Sequence, residues 1–567
     1  MHHPSRFSMR TAVIPLHNLV RRLVPAVLLW LVLGSLAACS GGGGGGGGGS
    51  PSVVAAPDSY STGIGQTSLT VSSPGVLTND TGTGLTAEMV SGPAHAATFT
   101  LSPDGSFNYV HDSSSVTTDS FTYRVTNGSD TSSPATVSIT ITPPVAATDT
   151  YSITAPGNTL MTSAGTGVLA NDTGTGLVAE LLSSPAHYSS FTLNADGSFT
   201  YVNDGSAAPT DSFTYRAKVG AIYSNTVTVT ININQPPVAS NVCPVIQDNS
   251  GSFSITLPAS DPNGSVVGAS YTIDSLPTNG TIMGCSSVPC PVSYNVTYVP
   301  TPNSTGRRGM DRFTFHVTDS DGLASAPATA WVLNNGKVRI MPLGDSITDG
   351  ININNSPAPA NRVGYRKDLY DGLTALSAGT YGIDFVGSVS SGSALMSDTN
   401  HEGHDGWCDD NNPYCTVSSG ANIADSVSGF LSSNPPDIIL LHIGTNEFST
   451  DNTGVNTILN NINTWAQSNY AVTVMVARII PTTDGSLNVE AFNNLVAGIA
   501  NDRPFVKVFM VDEQTALDDP NNADPNFADP NLMTAGGVLH PNATGYTAMA
   551  IKWQADLVTD NVLPSCP

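Results

Sequence analysis

The sequence predicts a multidomain chain: tandem all-β sandwiches, then an α/β three-layer domain built on a five-stranded parallel sheet. Three observations predict it. Leu77-Thr78-Asn79-Asp80-Thr81-Gly82 returns as Leu169-Ala170-Asn171-Asp172-Thr173-Gly174, an offset of 169 − 77 = 92. Within each copy, apolar and polar residues alternate with the period of a half-buried strand. From Lys337 onward the pattern changes to continuous apolar runs separated by helical stretches, the signature of a parallel sheet covered on both faces.

The chain opens with Arg10, Arg21 and Arg22 before an apolar run, Leu23 to Leu36. That run is too short for a comfortable membrane span but suits the core of a signal peptide. It ends Leu36-Ala37-Ala38-Cys39, which resembles a bacterial lipobox. The resemblance implies cleavage after residue 38, lipid on Cys39 and, with Ser40 next, an outer-membrane, surface-exposed protein of the bacterial envelope. Gly41 to Gly49 follow; poly-Gly cannot pack, so residues 39–52 read as a flexible tether.

Residues 53–143 and 144–235 are the two copies. Asp104-Gly105-Ser106-Phe107 returns at Asp196, and Asp119-Ser120-Phe121-Thr122-Tyr123-Arg124 at Asp211, again 92 apart. Phe121, Tyr123 and Val125 alternate, as do Val137, Ile139 and Ile141, and Asp-Gly turns separate the runs. Short strands in a domain of this size read as an immunoglobulin-like sandwich. A divergent third module spans residues 236–335, its Asp311-Arg312-Phe313-Thr314-Phe315 echoing the same strand. The Val-Leu-x-Asn-Asp signature resembles bacterial cadherin-like and immunoglobulin-like surface repeats, several of which bind calcium. Here it runs on as Thr-Gly-Thr-Gly without the further acids a hard cation prefers, so calcium stays an open partner of the repeats and a plain turn at Asn79-Asp80 the alternative. The modules read as a spacer, with an adhesive or glycan-binding role left open.

Residues 337–567 carry the chemistry. Expected strands are Val338–Leu343, Ile383–Val386, Ile438–Ile443, Val472–Ile480 and Val506–Val511. Expected helices are Arg362–Leu376, Ala421–Leu431, Val455–Gln467, Asn488–Ala500 and Ala543–Leu557, where Tyr546, Met549, Ala550, Trp553 and Leu557 share a face. Ligands gather beyond the C-terminal ends of such strands. There lie Gly344-Asp345-Ser346 after the first strand, Gly387 closing the second, Gly444-Thr445-Asn446 after the third and His540-Pro541-Asn542 before the last helix. A serine hydroxyl is a weak nucleophile until a base takes its proton, and a tetrahedral intermediate needs donors aimed at its oxyanion.

These four blocks, in order, resemble the SGNH (GDSL-type) hydrolase superfamily. The resemblance implies Ser346 as nucleophile, His540 as general base and then acid, and an oxyanion hole from the Ser346 and Gly387 N–H groups and the Asn446 side chain, with no cofactor and no metal. Gly364-Tyr365-Arg366, Phe385-Val386-Gly387-Ser388 and His401-Glu402-Gly403-His404-Asp405-Gly406-Trp407 resemble carbohydrate esterase family three. That implies removal of acetyl groups from a polysaccharide such as acetylated xylan, with the His401–Trp407 stretch a loop beside the cleft. One position departs from the pattern. The family's acid stands three residues before the histidine, where this chain has Gly537. Asp529 or Asp524, a backbone carbonyl or a water takes its place, or the enzyme is crippled. His442 reads as a packed strand residue and Asp345 as a brace for the nucleophile turn. A short-chain lipid or aryl esterase or a thioesterase is the alternative activity. A surface adhesin or polysaccharide-binding protein with a spent hydrolase domain is the alternative of another class.

Composition bounds the rest. A net charge of −25 argues against nucleic acid and against electrostatic docking on anionic lipid. Six cysteines remain beyond Cys39, an even number that suggests disulfides outside the cytoplasm. Cys408–Cys415 is the favoured pair; Cys243, Cys285, Cys290 and Cys566 allow three connectivities, and zinc is the runner-up.

Overall fold

The structure, a computed structural model, describes residues 53–566 apart from 67, 248–250, 264–268, 302–308, 352–357, 412–414, 416–420, 447–451, 486–487, 500–501, 519, 521–527 and 535–538. Cys39 and the poly-Gly run lie outside the described residues.

Each repeat is a pair of sheets. In the first, a four-stranded sheet containing Thr118–Thr126 and Ala135–Thr142 faces a three-stranded one containing Phe107–His111. The alternation is realised literally: along Ala135–Thr142 every second residue is buried. The repeated Asp-Ser-Phe-Thr-Tyr stretch has a specific cause. Asp119 accepts from the backbone N–H groups of Ala94, His95 and Ser120 and from Tyr109 Oη. Asp211 does the same with Ala186, His187, Ser212 and Tyr201. Asp311 does so with Thr278, Asn279, Arg312 and Tyr298, so the divergent third module shares this clamp with the first two. A buried carboxylate is tolerable because protein donors replace its water. The Asn-Asp signature is used in the same way: Asp80 accepts from Ala56 N and Tyr123 Oη, and Asp172 from Ala147 N and Tyr215 Oη.

The α/β unit holds five parallel strands: β1 (Lys337–Gly344), β2 (Gly382–Phe385), β3 (Ile438–His442), β4 (Val472–Ala477) and β5 (Val506–Val511). Their spatial order is β2-β1-β3-β4-β5. Successive residues of β1 face opposite ways: Val338 and Ile340 enter one core, Met341 and Leu343 the other. The first core is covered by helices Arg366–Leu376 and Ala543–Thr559, which bring Leu369, Leu373, Met549 and Trp553. The second is covered by Ile423–Ser433 and Thr453–Gln467, which bring Val427, Leu431, Ile458 and Ile462. The strand expected to run to Ile480 stops at Ala477, and the helix expected from Arg362 starts at Arg366, because Gly364 sits at φ 51°.

The third sandwich and the α/β unit are joined firmly. The last sandwich strand, Ala328–Asn334, turns through Asn335 and Gly336 into β1, with Asn334 paired to Lys337. Asn279 exchanges two hydrogen bonds with Ala471, and Met310 N donates to Asp437. Cys243 at the start of the sandwich is bonded to Cys566 at the chain's end; the other bridges are Cys285–Cys290 and the expected Cys408–Cys415.

Candidate active site

Strand β1 delivers Gly344-Asp345-Ser346 to the sheet's C-terminal edge. Asp345 caps a one-turn helix, Ser346–Asp349, accepting from Ile347 N; Gly350 ends it at φ 84°, a conformation suited to glycine. The other oxygen of Asp345 accepts from Thr445 Oγ1, which ties the Ser346 turn to the end of β3. Burial pushes the Asp345 carboxyl up to about 6, while these donors and the nearby His540 oppose the shift.

His540 arrives from the far end of the chain. Its carbonyl accepts from Thr534 N, and Asn542 caps the last helix by accepting from Thr544 N and Gly545 N. The imidazole Nε2 lies 2.9 Å from Ser346 Oγ. Both side chains are nearly buried, at 2% and 4% exposure. Burial holds the His540 pKa below its ordinary value, opposed by the Asp345 charge. Burial thus favours the neutral imidazole, the form a base needs. Its Nδ1 has no partner among the described residues. Asp529, one of the alternatives for orienting His540, does not bond Nδ1; its Oδ1 accepts from Asn531 N and Nδ2. Asp524 and Gly537 lie outside the described residues.

The donors follow. Gly387 comes just after β2, where an added Cβ would stand 2.1 Å from His401 O; only glycine lets the backbone pass so close. Asn446 Nδ2 donates one hydrogen to Trp407 O at 2.8 Å, which fixes the amide and leaves its second hydrogen. His442 is fully buried, and burial lowers its pKa to about 4.

The His401–Trp407 stretch is not simply a loop. Asn400–Gly403 forms a strand paired with the end of β1, through Leu343–Glu402 and Gly344–Gly403. Buried Glu402 accepts from Ser388 N and Oγ, directly after Gly387, and from His404 Nε2. His404 in turn stacks on Trp407, ring centroids 4.1 Å apart. Sequence reasoning missed Glu402 as the group that sets the Gly387 loop; a lone acid in a stretch read as loop carries no signal of its fourteen-residue reach back. It also missed the buried network around Asp349, Arg362, Arg366 and Ser391. Among the described residues no group of three or more His, Cys, Asp or Glu is spaced to hold a metal.

Comparison with known families agrees with this architecture. The GDSL-like Lipase/Acylhydrolase family matches residues 340–553. These residues form a GDSL-type hydrolase domain. The bacterial cadherin-like domain matches residues 50–143 and 142–235, and the bacterial Ig domain residues 234–332. A multidomain esterase of Ruminococcus flavefaciens is 30% identical over 235 residues, 38% of this chain and 28% of that protein. Among solved structures, a family 3 carbohydrate esterase of Clostridium thermocellum is 27% identical, covering 40% of this chain and 96% of its own, with a TM-score of 0.31. One from Talaromyces cellulolyticus is 24% identical over 40% and 100%, with a TM-score of 0.30. The hydrolase domain thus follows two cadherin-like repeats and one Ig domain.

Proposed function

We propose that the protein is a serine esterase that removes acetyl groups from polysaccharide, acting through a Ser346–His540 dyad. The 2.9 Å contact between Ser346 Oγ and His540 Nε2 carries the reading. Ser346 Oγ attacks the acetyl carbonyl as Nε2 takes its proton. The N–H groups of Ser346 and Gly387 and the free hydrogen of Asn446 receive the oxyanion. The intermediate collapses, the sugar hydroxyl leaves with the proton from Nε2, and the acetyl stays on Ser346. A water then gives its proton to Nε2, attacks the acyl-serine, and acetate departs as the proton returns to Oγ. The Asp345 carboxylate, held by Ile347 N and Thr445 Oγ1, acts on His540 through space and favours the imidazolium formed in each half-reaction.

The match to an esterase and the His401–Trp407 stretch support the substrate class. In this reading Cys39 carries lipid and the stalk holds the hydrolase domain off the outer membrane. The test is acetate release from acetylated xylan by wild type and Ser346→Ala. Equal release by both defeats the proposal. A preference for long acyl chains in a nitrophenyl ester series favours the lipid-esterase alternative.

A further inference from the structure

The seam between the Ig domain and the hydrolase domain holds a cleft of about 280 Å³. Arg312, Trp331 and Asn279 come from one side; Arg503, Lys507 and Phe509 come from the other. Val472 and Val506, which also line it, begin β4 and β5, so the cleft sits at the sheet's N-terminal edge, opposite Ser346.

The charge placement is unusual for this chain. It has 44 acidic and only 19 basic residues, yet three of the basic ones line this one cleft. Burial lowers the Lys507 pKa, and the charge of Arg312 from the other domain adds to the shift, while Asp560 opposes it. Neither Arg312 nor Lys507 makes an ion pair with a carboxylate among the described residues. Arg312 donates to the carbonyl of Asn561 and lies over the Trp331 ring, 4.9 Å from its centroid. Lys507 Nζ lies 4.6 Å from the centroid of Phe509. Of the neighbouring acids, Asp311 already accepts four hydrogen bonds, Asp502 lies 3.9 Å from Arg503, and Asp560 acts on Lys507 through space. Arg503 is braced by Asn460 and Asn456. Trp331 Nε1, a donor, is buried without a partner among the described residues.

Holding like charges together across a seam costs free energy that an anion recovers. The Cys243–Cys566 bond and the Asn279–Ala471 pair tie the two sides of the seam together. A guanidinium fork beside an ammonium suits a planar carboxylate, and Phe509 offers an apolar wall for the body that carries it. We infer that this cleft binds an acidic sugar, a uronate side group of the polysaccharide, and so anchors the chain away from the catalytic edge. The sugar part of this inference rests on the polysaccharide reading above; the anion part does not.

The test is calorimetric titration of the whole chain carrying Ser346→Ala, where no turnover interferes. The probes are a glucuronic-acid-substituted xylo-oligosaccharide, its carboxyl-reduced counterpart and sodium sulfate. The acidic oligosaccharide is expected to bind at least about tenfold tighter than the reduced one, with affinity falling as salt rises. Lys507→Glu, at an exposed position, is expected to lower that affinity at least about tenfold. Arg312→Gln serves as a second variant, with thermal unfolding checked first. Equal binding of the acidic and reduced probes overturns the inference. So does undiminished binding by Lys507→Glu, or binding of sulfate alone. Because acetate release is measured separately on wild type, a failed esterase assay with retained acidic-sugar binding removes the catalytic reading and leaves the cleft.

Discussion

Among the described residues the hydrolase domain contains two serine–histidine contacts of almost equal length, and only one leaves its histidine able to act as a base. Ser346 Oγ lies 2.9 Å from His540 Nε2; Ser391 Oγ lies 2.8 Å from His401 Nε2. The difference lies at the other ring nitrogen. His401 Nδ1 accepts from Gly403 N at 2.9 Å, so its proton resides on Nε2, which donates to Ser391. That tautomer cannot take a proton from the serine. Ser391 is further pinned by Asp349 Oδ1 and Arg366 Nη2. His540 Nδ1 carries no such acceptor duty, so Nε2 is available to accept from Ser346. A serine–histidine distance therefore says little until the second nitrogen is accounted for.

The contrast yields predictions of decreasing size. Ser346→Ala is expected to lower kcat/KM by about 10⁴–10⁶-fold, measured on a nitrophenyl acetate. Asn446→Ala removes one oxyanion donor and is expected to cost about 10²–10³ in kcat. Ser391→Ala is expected to leave kcat far closer to wild type. It strands the Nε2–H of His401 and so lowers stability by about 1–3 kcal/mol in urea unfolding. A drop in kcat as large as that of Asn446→Ala would place Ser391 in the chemistry and remove the distinction.

The two histidines also separate by pH. His540 must be neutral to act, and burial lowers its pKa, so the acid limb of kcat/KM is expected below pH 6.5. A limb above 6.5 would mean that a stronger negative partner faces Nδ1. Burial pushes the His401 pKa down to about 2 from 6.5. Below pH 6.5 the unfolded chain then binds a proton that the folded chain refuses, so stability falls with pH, by at most about 1.4 kcal/mol per unit for one group. His442 and His540, whose pKa values burial also lowers, add slopes of the same sign, so His401→Gln is expected to make the slope shallower between pH 6.5 and 5 without abolishing it.

Much of this was legible beforehand for local reasons. An offset of 92 exposes the repeats, and four short blocks at strand ends bring Ser346 and His540 onto one edge. What escaped depends on chain segments meeting across the fold. Glu402 acts on Ser388, Asp349 acts on Arg362 and Ser391, and Cys243 meets Cys566 across 323 residues. No local periodicity encodes such meetings. The helix boundary at Arg366 shifted for a different reason, a single left-handed glycine. The Asp119 clamp lay in plain view within a repeated motif, but its role needs the Ala94–His95 backbone that it holds.

The bond between Cys243 and Cys566 closes a covalent ring that contains most of the Ig domain and the described hydrolase domain. A pull from upstream of residue 243 can be borne by that ring without stretching the catalytic sheet from end to end. A single proteolytic cut between 243 and 566 likewise sheds nothing: both fragments stay linked to the cadherin-like repeats until the bridge is reduced.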